Sequence, residues 1–188
     1  MHGLVNRAIE EFVRVTYDDA TWQMAAAAAG IDPRGFVLMR QYETELTGRL
    51  MRELSSRLGR SPRDLAEDVG AWVSALPSIR RLLRFAGTDF SAFMMALPEL
   101  HGRARMVVRG FDLPKLTVTH QAGGWRLASD CELIWLHAVV GMLHAMADDY
   151  GVLAVIALEG RNVNVIVPLA DFSEGRPFSI ADPTVGAA

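Results

Sequence analysis

The chain has 188 residues, a formal net charge of −3 and 51% apolar residues, which fits one domain with a core large enough to need no covalent staples. The mixed, slightly acidic charge excludes a dedicated nucleic-acid binder. The single cysteine, Cys131, excludes an internal disulfide and a cysteine-based zinc site. No apolar run approaches the ~18 residues of a membrane span. The opening residues lack a signal peptide's apolar core, and a reducing cytoplasm suits a chain with one thiol.

Leu4, Ala8, Ile9, Phe12 and Val13 share one helical face, which predicts a helix over about residues 4–16. Asp18 or Asp19 caps a second helix, over residues 20–29, that Gly30 ends. Leu46, Leu50, Leu54 and Leu58 recur every fourth residue up to Gly59. Ser61-Pro62-Arg63-Asp64 is a start signal, with Ser as N-cap and Pro in the first turn. A further helix spans residues 77–86, its Arg80, Arg81 and Arg84 read as a solvated face. Thr88 is placed to cap the next helix. Pro98 is expected to break or kink that helix and to start a new one carrying His101.

His101 lies beside an apolar stripe of Leu97, Leu100, Ala104 and Val107. From the residues alone it reads either as a packed imidazole hydrogen-bonded to a neighbour or as a metal ligand. Beyond Phe111 the pattern changes. Residues 116–120 and 125–129 alternate as strands around a Gly123-Gly124 turn. Residues 133–150 form a helix apolar around most of its circumference, hence buried. Residues 152–158 and 163–169 form a second hairpin, and residues 170–188 read as a poorly ordered tail. The fold class is therefore α+β: an N-terminal helical part, then an antiparallel sheet of two hairpins with a buried helix between them.

This order, with three motifs, resembles the heme–nitric oxide/oxygen binding (H-NOX, HNOB) domain family. The motifs are the opening Met1-x-Gly3-Leu4-Val5-Asn6, the stretch Leu97-x-x-Leu100-His101-x-Arg103, and Pro114 at the family's spacing from that histidine. The resemblance covers residues 1–169. It implies heme b as cofactor, with His101 as proximal iron ligand and Leu4, Val5, Leu97, Leu100 and Pro114 lining the pocket. It implies a sensor for NO or CO: in the family, NO weakens or breaks the iron–histidine bond, and a partner reads the resulting helix shift. No kinase or cyclase domain fits within 188 residues, so output is expected to pass to a separate protein, by the resemblance a histidine kinase or a cyclic-di-GMP enzyme. Neither nucleic acid nor membrane is an expected partner.

The sequence departs from the family at the heme carboxylates. The family clamps them with Tyr-x-Ser-x-Arg just before the buried helix. Here the stretch reads Leu127-Ala128-Ser129-Asp130-Cys131-Glu132-Leu133, with no Tyr or Arg in either register. Arg126, Arg103 or Arg105 could reach the propionates from elsewhere. His137 and His144 lie two turns apart in the buried helix and read as satisfied interface histidines. The family's distal-pocket position falls near Leu136-His137, so His137 is also a candidate distal residue. The family's oxygen-binding members carry a distal Tyr, and none occurs here before Tyr150. The competing reading is a heme-free module of the same fold holding another apolar ligand or a regulatory partner. No nucleophile–base pair or carboxylate dyad stands out, so an enzyme is not expected.

Overall fold

The computed structural model describes residues 1–111 and 113–168. The reading of residues 170–188 as a tail lies outside them. The helical part comprises α1 (Gly3–Thr16), α2 (Asp19–Ala28), α3 (Thr44–Leu58), α4 (Pro62–Ala75), α5 (Pro77–Arg84) and α6 (Phe90–Val107). Strands β1 (Thr117–Gln121) and β2 (Gly124–Ala128) follow, then α7 (Leu133–Tyr150), β3 (Val155–Glu159) and β4 (Asn162–Ile166).

Local chemistry explains most helix starts. Asp18 and Ser61 cap α2 and α4 by accepting from Thr21 N and Asp64 N. Asp89, not Thr88, caps α6, its carboxylate accepting from Ala92 N at 2.8 Å. His2 caps α1 through Nδ1, which accepts from Leu4 N, and its ring packs edge-on against Phe111. Gly3 is there for space. A Cβ would fall 2.1 Å from the Val37 carbonyl oxygen, where the N-terminus pairs with residues 40–42.

Pro98 does not end a helix. α6 runs unbroken through it. Pro98 lacks an N–H, so only the bond to the Met94 carbonyl is lost, and burial of Phe90, Phe93, Met94 and Leu97 outweighs that loss. The strands are also shorter than the periodicity suggests. Val152 to Ala154 precede β3, because apolar residues that pack beside a sheet need not belong to its ladder.

The four strands form one antiparallel sheet in the order β1-β2-β4-β3. Thr117, Ala128, Asn162 and Glu159 make one row across its end. The α6–β1 connection enters at that row, the β2–α7 connection leaves from it, and the β3–β4 turn lies on it. Trp125, Leu127, Val163 and Val165 face inward and pack with α6 and α7 in one core. α1 to α4 build a second core around Trp22, Leu50, Leu54 and Leu65, with Ile134 of α7 against it.

The α4–α7 crossing joins the two cores. A Cβ on Gly70 would meet the Ala138 carbonyl oxygen at 2.0 Å, and one on Gly141 the Glu67 carbonyl oxygen at 1.8 Å, so the helices touch backbone to backbone. On the arginine face of α5 only Arg81 is exposed; Arg80 and Arg84 turn inward. Arg80 Nε donates to buried Asp149 at 2.6 Å, and the Arg84 guanidinium lies 4.1 Å from the Tyr150 ring centroid. No helix among the described residues is long and apolar enough to cross a membrane.

Candidate functional site

His101 follows Leu97 by one helical turn, so it extends the buried stripe of α6 to the rim of the first core. Its imidazole is half-buried. Nδ1 donates to the Leu113 carbonyl at 2.5 Å, and that bond leaves the lone pair of the neutral ring on Nε2. Pro114, next in the chain, is half-buried, and Leu100 packs on the same core. Leu97, Leu100, His101 and Pro114 thus gather on the α6 side.

Leu4 and Val5 belong to the other side. A cavity of about 290 Å³ opens between α1, α3, α4 and the first turns of α7. Val5, Ile9, Val69, Ile134 and Ala138 give it apolar walls, and Arg52 and Glu132 also line it. His101 does not line it, and neither does His137. His137 Nδ1 donates to Glu67 Oε1 at 2.8 Å across the α4–α7 crossing. His144 is exposed. His120 is an exposed residue of the edge strand, packed edge-on against Trp125.

The cationic candidates sit outside the core. Arg126 alternates with the inward Trp125 and Leu127 and lies exposed on the outer face of the sheet. Arg103 pairs with Glu99 one turn back on α6 at 2.5 Å. Arg105 is exposed near the end of the same helix. The arginine at the β2–α7 connection is instead Arg161, from the β3–β4 turn, which donates to the Cys131 carbonyl. Ser129 Oγ accepts from Cys131 N at 3.3 Å. Sequence reasoning missed Arg161 because strand pairing, not chain proximity, brings it there.

The Haem-NO-binding (HNOB) family matches residues 2–155. The chain belongs to this family. Solved structures share its fold. A Cs H-NOX mutant carrying 4-cyano-L-phenylalanine aligns with TM-score 0.75 and 14% identity, over 90% of this chain and 97% of its own. An Fe(II) unliganded H-NOX mutant from K. algicida aligns with TM-score 0.75 and 17% identity, over 89% and 95%. An oxygen-binding H-NOX domain related to soluble guanylate cyclases, in its oxygen complex, aligns with TM-score 0.68 and 14% identity, over 94% and 100%. No curated protein matches the sequence. The family membership and the shared fold agree with the resemblance carried by the His101 motif and the element order.

Donor chemistry fits the family's cofactor. A histidine ligand to heme iron needs one neutral nitrogen facing the metal and the other N–H held by an acceptor, and the Leu113 carbonyl holds His101 in that tautomer. The described cavity does not supply a preformed slot beside that ring. The fit therefore rests on His101 and its carbonyl partner. Among the described residues no group of three or more His, Cys, Asp or Glu could hold a bare metal ion.

Proposed function

We propose that this chain is a heme-binding gas sensor that reports NO, or CO, to a separate signalling protein. The observation that carries the reading is the His101 imidazole, fixed by Leu113 at the rim of the α6 core. Heme b would be held through Nε2 of His101 and would supply the iron that binds a diatomic gas. The chain's own part is mechanical. With heme held by His101, the C-terminal half of α6 would be tied to the cofactor; without that tie it would be restrained by its own packing and by the Leu113 bond. α6 would then be the two-state element that a partner, such as a histidine kinase or a cyclic-di-GMP enzyme, reads. Tyr150 is committed to the Gly87 carbonyl, so it is not available to hold a bound gas, which favours NO and CO over stable oxygen binding. This is a binding role without turnover, exercised in the cytoplasm.

Absorption spectroscopy tests it. Protein made with heme precursor supplied is expected to show a strong Soret band. His101→Gly should lose that band, and added imidazole should restore it. Wild-type protein that stays colourless on reconstitution with hemin would sink the proposal. The about 290 Å³ cavity, close to the ~300 Å³ lower bound of small-molecule pockets, favours one second reading, a heme-free module for a small apolar ligand. Colourless protein stabilised by such ligands, and not by hemin, would support that reading.

A further inference from the structure

The end of the sheet marked by Thr117, Ala128, Asn162 and Glu159 collects three groups from separate parts of the chain. Leu113, whose carbonyl holds His101, lies four residues before Thr117. Ser129 follows Ala128, just past the end of β2, and is half-buried. Arg161 precedes Asn162 in the tight β3–β4 turn, where Gly160 takes φ +62°. Pairing of Ala128 with Asn162 sets the turn against the β2–α7 connection, and the guanidinium closes on the Cys131 carbonyl. From Thr117 to Asn162 is two strand spacings, roughly 10 Å.

Resting on the heme reading above, we infer that Arg161 and Ser129 together form the site for the cofactor's carboxylates, a hydroxyl and a guanidinium supplied from two elements. A porphyrin bound through its centre by His101 carries both carboxylates on one edge, so their partners must lie together to one side of the imidazole, and the sheet end reached through Leu113 holds a cation and a hydroxyl together. A guanidinium has five N–H donors, and the Cys131 bond uses one. Ser129 Oγ accepts from Cys131 N, so its own proton is directed elsewhere. Charge-assisted bonds from such a pair are the strong kind. The opposing charges are Asp130 and Glu132, both exposed and screened by solvent, and Glu159, which accepts from Asn164 Nδ2 at 2.8 Å. Arg126 lies on the other face of the sheet and takes no part.

The test is a hemin titration followed at the Soret band, repeated with heme dimethyl ester, which lacks the charges. Wild type should bind hemin more tightly than the ester. Arg161→Leu should lose about ten- to a hundredfold in hemin affinity and should no longer discriminate against the ester. Arg161→Lys should retain part of both effects, and Arg126→Leu should match wild type. The unfolding midpoint of the heme-free Arg161→Leu protein should stay at the wild-type value, because its bond is exposed. Wild type that takes both hemes equally overturns the inference. So does Arg161→Leu that keeps wild-type affinity and discrimination, and in both cases the sensor reading survives. Failure of wild type to take any heme overturns both.

Discussion

Gly141→Ala isolates the contact that joins the two cores. The added Cβ would stand 1.8 Å from the Glu67 carbonyl oxygen, 2.6 Å from its carbon and 2.9 Å from its Cα. Ordinary contact begins near 3.4 Å, so α4 and α7 must separate by about 1.6 Å, and every atom in the way is backbone. Overpacking costs about 1–3 kcal/mol, and a rigid neighbour puts this case at the upper end. Alanine's helix propensity offsets about 1 kcal/mol. The net loss is about 2 kcal/mol, or about 4–8 °C in the midpoint for a chain of this length. Thermal and urea unfolding of the heme-free protein followed by circular dichroism would measure it. Gly70→Ala opens the same gap from the other helix, so the double variant should lose less than the sum. Gly102→Ala is the control: nothing lies within 4 Å of its added Cβ, and it should gain roughly 0.5–1 kcal/mol. A Gly141→Ala protein as stable as wild type would refute backbone contact at the crossing.

Two further outcomes test other parts of the fold. Glu10 is fully buried and accepts from Arg7, from Arg14 and from Phe36 N at 2.9 Å. Glu10→Ala strands the Phe36 N–H, while Arg7 keeps Glu11 and Arg14 keeps the Pro33 carbonyl, and it should cost about 3 kcal/mol in urea unfolding, the low end for a broken buried pair because both arginines are partly exposed and keep a second partner. Burial raises the Tyr150 phenol above its ordinary value of 10.0, and its hydroxyl donates to Gly87. The folded state therefore holds the proton longer than the unfolded state does. Its contribution is whole below about pH 10 and is lost as pH rises through the folded value. Tyr150→Phe should remove that alkaline loss of stability.

Much of this molecule was legible from one-dimensional patterns. α7 begins and ends where its apolar run does, because Gly151 at φ +67° stops it in the left-handed conformation. Ser61 with Pro62 marked α4 for a similarly local reason. Pro98 misled because local preference yielded to the burial around it. Arg80 and Arg84 misled because charge alone reads as solvated, while their partner Asp149 lies 69 and 65 residues away in the sequence. His101 was legible as a motif, but its acceptor, the Leu113 carbonyl, belongs to an irregular loop that no periodicity places. Arg161 needed the strand register. His137 sat near the expected distal position, and only the α4–α7 contact reveals that it faces Glu67.

The missing N–H at Pro98 divides α6 into unequal partners. Ahead of it, Phe90, Phe93, Met94 and Leu97 are all 3% exposed or less; beyond it, Gly102, Arg105 and Met106 lie in solvent. The front half is an anchor and the rear half an arm, with the pivot at the one rung of the ladder that cannot form. From Pro98 to Met106 the arm is about 12 Å long. A tilt of about 10° at the pivot would sweep its tip through roughly 2 Å without disturbing a single anchored ring. A stroke of that size, delivered by an exposed methionine, is enough to change how a neighbouring surface fits.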